Sequence, residues 1–157
     1  MRMGLSAAAS DRVSPQVQEN EGAERCRRRT ALAALLRAHI ADLLDQLIPE
    51  ATRASGLADA ISNGYMGGTQ DSVDLGLRAL EAEDTERAAL LEQLVAKMAA
   101  TSRAHRVPAI VERGLVSIGL RWALTQVRDG APEHGFAPAD LEEEFIAFRS
   151  AFEEKLR

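Results

Sequence analysis

The chain predicts an all-α fold, and three observations carry that prediction. Only 4% of the 157 residues are aromatic, while alanine, leucine, glutamate and arginine are abundant, a composition that favours helix over sheet. After residue 30 apolar residues recur at three- and four-residue steps, the period of a helix with one buried face. The runs are bounded by Pro49, Pro108, Asp129-Gly130 and Pro138, residue types that end or start helices.

Length and charge narrow the field of functions. A chain of 157 residues buries one sizeable core and predicts one domain, here 21–157, preceded by a flexible tail over 1–20 that lacks apolar periodicity. Ser14-Pro15 is nonetheless a helix-start signal inside that tail. A net charge of −5 and a pI near 5.3 exclude a function built on the nucleic-acid backbone, which needs a concentrated positive face. The single cysteine, Cys26, rules out an intrachain disulfide and paired-cysteine zinc sites and fits a reducing cytoplasm. Arg25, Arg27, Arg28 and Arg29 surround it, a setting that can favour a thiolate, although an incidental thiol is the simpler reading. The first ten residues are too weakly apolar for a secretory signal, and no segment has the length of a membrane span.

The elements follow in order. From Thr30, Leu32, Leu36, Ile40, Leu43 and Leu47 mark one helix that Pro49 stops, with His39 on its apolar side as a core residue. Residues 49–68 read as a connection broken by Gly56, Gly64, Gly67 and Gly68. Helix resumes near Thr69 with Val73, Leu77 and Leu80 on one side. Asp84 then serves as N-cap of a helix carrying Leu90, Leu91, Leu94, Val95 and Met98 and ending around His105. Pro108 sits in the first turn of the next, whose buried edge is Val111, Leu115, Ile118 and Trp122, the last a core residue. Pro138 and Asp140 open the final helix, where Leu141, Phe145, Phe148, Phe152 and Leu156 form a core stripe and Glu142, Glu143 and Glu144 its solvated first turn.

His105 is the residue on which function turns, because it closes one amphipathic helix just before a proline opens another. An imidazole at such a junction can face a flat cofactor lying between helices. The element order, with Leu47-Ile-Pro-Glu50, Gln70, Met98 seven residues before His105, and Gly119-Leu-Arg-Trp-Ala-Leu-Thr-Gln-Val-Arg-Asp-Gly130 followed by Gly135-Phe-Ala-Pro138, resembles the globin family over roughly Ser14 to Leu156. The resemblance implies haem b, with His105 as the proximal iron ligand and Gln70 as the distal donor to a bound diatomic gas, oxygen or nitric oxide. It also implies apolar haem walls at Leu91, Leu94, Met98, Val111 and Leu115. Sustained nitric-oxide turnover would then need a separate reductase, signalling would need contact with another protein, and a homodimer stays open.

The pattern also departs from that family. Reaching His105 requires a deletion of about two residues in the turn before Val107-Pro108. Alignment on Val107-Pro108 without a gap places Thr101 at the proximal position, and threonine cannot replace imidazole there. Ala41 stands where a distal tyrosine or large residue is usual, and the haem-packing phenylalanine is absent, leaving Leu57 or Tyr65 as substitutes. Two alternatives therefore stand beside the haem protein. One is a haem-free globin-like sensory or interaction domain that binds an apolar ligand or a partner, as in bacterial stress-signalling regulators. The other is a helical bundle unrelated to globins.

Overall fold

The computed structural model describes residues 14–53 and 65–157. Among them stand six α-helices: α1 (Pro15–Ala38), α2 (Ile40–Arg53), α3 (Tyr65–Glu81), α4 (Asp84–Ala104), α5 (Ala109–Gly130) and α6 (Pro138–Leu156), with a 3-10 turn at Ala131–His134 before α6. No strand occurs among the described residues, so the all-α expectation holds.

Ser14 and Pro15 do start a helix. Ser14 is extended, its Oγ accepts from the Val17 N–H at 3.3 Å, and Pro15 occupies a first-turn position where a missing N–H leaves no bond unmade. Residues 15–20, assigned to a flexible tail on their lack of periodicity, are therefore helical, and 1–13 lie outside the described residues. The first half of α1 is largely exposed, and its second half buries Leu32, Ala33, Leu35 and Leu36.

The single helix expected from Thr30 to Pro49 is two helices. His39 leaves the helical region (φ −117°, ψ 13°), donates its N–H to Leu36 O at 3.1 Å and accepts from Asp42 N at 3.0 Å and Leu43 N at 3.3 Å. One residue thus caps α1 and opens α2, turning α2 onto α5. The imidazole is half-exposed beside Asp42, with Nδ1 to Oδ2 3.7 Å, rather than buried in the core. Helix α2 continues through Pro49 to Arg53, because a proline removes one i→i−4 bond without breaking those on either side.

Helix α1 lies against α3, α5 and α6 and is the centre of the packing. Arg37 fastens it to α3 by Nε to Glu81 at 2.9 Å and a second nitrogen to Asp74 at 3.3 Å, and the Glu81 hydrogen bond raises the guanidinium's pKa further. Only Ala82 and Glu83 separate α3 from α4, so the two pack as a helical hairpin. Glu83 stands at the N-cap with no side-chain bond, one residue before the expected Asp84, which instead pairs with Arg29 at 3.4 Å and Arg87 at 3.5 Å.

Two of the arginines around Cys26 are structural. Arg29 is buried and donates to Ala82 O at 3.3 Å, while Arg28 reaches Glu144 on α6 through Nε at 3.1 Å and a terminal nitrogen at 3.0 Å. Glu144 is only 8% exposed, so the solvated role expected for Glu142–Glu144 fails at its last member. The stripe on α6 is core as expected: Leu141, Phe145, Phe148 and Phe152 are all buried. They join Leu32, Leu35, Leu80, Leu91, Trp122 and Val127 in one apolar cluster. Gly135, at φ 77°, makes the left-handed turn that aims α6 back across α1. No helix among the described residues is long and apolar enough to cross a membrane.

Candidate functional site: an apolar cavity beside α5

The packing leaves a partly open cavity of about 190 Å³ bounded by parts of all six helices. Helix α4 contributes Leu94, Met98 and Thr101, spaced so that they share one face over two turns. Helix α5 contributes Glu112, Leu115, Val116, Gly119, Leu120, Trp122 and Ala123, and α3 supplies Ser72, Val73, Gly76, Leu77 and Leu80. Leu36, Ile40 and Leu43 close it on the α1–α2 side, and Phe145, Phe148 and Phe152 form its floor. Among the described residues the polar side chains of the lining are few: Ser72, Thr101 and Glu112.

Among the described residues the wall is incomplete on one side. Trp122, Ala123 and Val127 are the buried residues of α5, whereas Leu115, Val116 and Leu120 are only half-buried. Val73, Met98 and Ile40 across from them are half-buried as well. Apolar side chains that face a cavity lose the contacts a filled core would provide, so a fitting apolar molecule would gain both dispersion and the release of water.

Two helix-interior glycines lie on this wall. A Cβ built on Gly76 would stand 3.8 Å from Leu94 Cδ2, and one on Gly119 would stand 3.8 Å from Leu43 Cδ1, both ordinary contacts. Neither backbone is in the left-handed region, and alanine would fit at both. Glycine inside a helix costs about 1 kcal/mol relative to alanine, so the chain holds this space open at the expense of helix stability.

Trp122 is 5% exposed, and its Nε1 has no hydrogen-bond acceptor among the described residues. A buried donor left unmade costs about 1–3 kcal/mol. The expectation that Trp122 is core is met, and other atoms of the same side chain form part of the cavity wall.

The residues singled out in the sequence divide into two groups. Leu94, Met98 and Leu115 line the cavity. Leu91 is buried behind them, Val111 is half-buried and Gln70 is exposed, and none of the three lines it. His105 also lies outside the lining. The reason is local: α4 ends at Ala104, and the turn that follows is a Schellman motif. Val107 N donates to Ser102 O at 2.9 Å and Arg106 N to Arg103 O at 3.3 Å, with Arg106 left-handed at φ 55°. His105 is the half-buried cap of that turn, about 6 Å along the axis beyond Thr101. On the cavity side, the α4 residue nearest the turn is therefore Thr101, the position given by alignment on Val107-Pro108 without a gap.

These residues do not fit a haem. Among the described residues the lining includes no histidine, cysteine, tyrosine or lysine to hold or balance iron, and Met98 is its one soft donor. The volume also falls below the roughly 300–1,000 Å³ of ordinary cofactor pockets. It exceeds the roughly 150 Å³ that suffices for benzene or xenon in an apolar protein cavity.

The useful signals that sequence reasoning passed over are Gly76 and Gly119, each set inside an amphipathic helix on its apolar side. Glu112 and Ser72 carried no signal of their own. Comparison of the chain with protein-family models, with curated proteins and with solved structures finds no match in any of the three.

Proposed function

We propose that this chain is a haem-free helical sensory domain that takes a small apolar molecule into the cavity beside α5 and passes its occupancy to a partner protein. The observation that carries this reading is the open, apolar cavity with Thr101 rather than an imidazole on its α4 side. The helix order resembling globins supports it as a haem-free variant of that arrangement. The two wall glycines support it too, since helix stability is given up where the space is needed.

A ligand here completes the core rather than decorating a surface. It binds best to the arrangement in which α3, α4 and α5 close on it, and so shifts the population toward that arrangement. Such a shift is the output available to a domain of this size, and contact with another protein is the means of reading it. The lone Cys26 fits a reducing cytoplasm as the setting.

The test is a pair of measurements on protein purified from cells supplied with haem. The visible spectrum shows no Soret band, and added benzene shifts the methyl NMR signals of Leu94, Leu115 and Val116 saturably. A strong Soret band that vanishes in His105→Ala would restore the haem protein and overturn this reading. Methyl signals that stay put in saturating benzene would overturn it as well.

A further inference from the structure

We infer that the outer face of α5 is the surface through which a partner reads this domain, and that the partner presents an amphipathic helix whose apolar stripe is flanked by aspartates or glutamates. The inference rests on the partner named in the reading above and adds where it docks and what it carries. Ile110, Arg113, Gly114, Ser117 and Arg121 follow one another at helical spacing and are all exposed, over about 16 Å of helix. Leu115, Val116 and Gly119 line the cavity from the opposite side of the same helix. Residues 109–121 contain no buried side chain, although Val111, Leu115, Val116, Ile118 and Leu120 are among them, and Ile110 is 81% exposed. Val111 and Ile118 form a half-buried apolar shoulder on one side of the exposed stripe, and Leu120 and Leu124 form one on the other. Gly114 and Ser117 are the low points between them. A Cβ at Gly114 would meet nothing within 4 Å, so a partner helix can approach closely there.

The partner's charge follows from the arginines. Arg113 and Arg121 stand on the stripe, and Arg103 and Arg106 border the groove at its start, beside Pro108 and Ala109. All four are exposed and make no ion pair among the described residues, whereas Arg28, Arg29, Arg37 and Arg128 each meet a carboxylate. Glu112 is the one acid between Arg103 and Arg128 in the sequence, and it lies on the cavity side of α5. An arginine cluster left unpaired on a chain of net charge −5 attracts and orients an acidic partner. A second copy of this chain fits badly, because pairing two α5 helices about a two-fold axis sets arginine against arginine.

The test uses the whole chain and an amide-capped leucine and glutamate peptide of about four helical turns, with a leucine and lysine peptide of the same pattern as control. In an NMR titration the glutamate peptide shifts the amides of Ile110, Gly114, Ser117 and Arg121, and the lysine peptide does not. Reversing both Arg113→Glu and Arg121→Glu weakens the glutamate peptide about tenfold, and Ile110→Ser weakens it about fivefold. Urea titration and the benzene response of these variants match the wild type, because the altered side chains are exposed and lie outside the cavity lining. Equal affinity of the wild type for the two peptides, or glutamate-peptide binding that survives both reversals, would sink the acidic-partner assignment. Amide shifts centred on α1 or α6 would overturn the choice of face. Binding to phosphatidylcholine vesicles with a quarter phosphatidylserine, in place of the glutamate peptide, would give the face to a membrane instead. Methyl signals indifferent to benzene, with the peptide titration intact, would remove the cavity reading and leave the docking face standing.

Discussion

Replacing Gly76 and Gly119 by alanine should make the protein more stable and a worse receptor. Both glycines lie inside helices, α3 and α5, and both line the cavity. At each, the new Cβ reaches a leucine methyl at 3.8 Å, contact without overlap. Helix propensity alone is worth about 1 kcal/mol per site, so the double variant gains about 2 kcal/mol where the sites act independently. For a chain of this size each kcal/mol moves the melting temperature by about 2–4 °C, which sets the expected rise at about 4–8 °C. The two methyls project into a space of about 190 Å³, so a ligand that filled it no longer fits. In the wild type, benzene at a hundred times its Kd adds about 2.7 kcal/mol, whereas in the double variant most of that shift disappears. Thermal melts with and without benzene read both effects. A double variant that melts no higher than the wild type would refute the helix argument. One that melts higher yet keeps the full benzene shift would show that ligand binds elsewhere.

The remaining predictions concern the frame around the cavity. At Gly130 a Cβ would overlap Leu35 Cδ1, and Leu35 is fully buried, so Gly130→Ala lowers stability by about 1–3 kcal/mol in urea titration. Glu144→Ala leaves the Arg28 guanidinium without its acceptor between α1 and α6 and costs about 2 kcal/mol, read by the same titration. Arg106→Gly relieves a left-handed residue at the α4–α5 turn and adds about 1 kcal/mol, with the turn amides exchanging more slowly. The Lys155 ammonium, 2.8 Å from Glu92, holds that carboxyl below the usual carboxylate range. Its contribution is present above the unfolded-state pKa and is lost as pH falls through the lower folded value. Carbon-detected titration of Glu92 should therefore return to the ordinary range in Lys155→Met, and the stability difference between the two proteins should vanish in acid.

The helices were legible wherever apolar periodicity coincided with a terminus signal. Pro138 and the Leu141, Phe145, Phe148, Phe152 stripe gave α6 and its buried face, and Asp129-Gly130 marked the end of α5. The break at His39 was not legible, because the leucine spacing continues across it and no glycine or proline marks it. One residue's backbone rotation, held by bonds to Leu36, Asp42 and Leu43, makes the break. Helix over 15–29 was hidden for the opposite reason: the segment has few apolar positions, and contacts made by Arg28 and Arg29 with distant residues hold its end in place. Glu144 looked like its neighbours in the sequence, and only its register between Leu141 and Phe148 set it on the buried face.

Of the residues named as haem walls, Leu94, Met98 and Leu115 line the cavity, and Leu91 and Val111 do not. His105 was placed at the end of α4 correctly, but whether a capping residue faces inward depends on the turn after it, and the left-handed Arg106 gave no warning in residue type. A cavity is a property of missing contacts between helices, so no single segment announces it. The nearest sequence signal was a pair of glycines where alanine would have made better helix.

The central claim is that the space beside α5 accepts a small apolar guest. A crystal equilibrated under xenon pressure tests it most directly. The account predicts a xenon atom enclosed by Leu94, Leu115, Val116 and Phe148, present in the wild type and absent from the Gly76→Ala, Gly119→Ala double variant. Wild-type crystals in which xenon finds no place among those four side chains would contradict it.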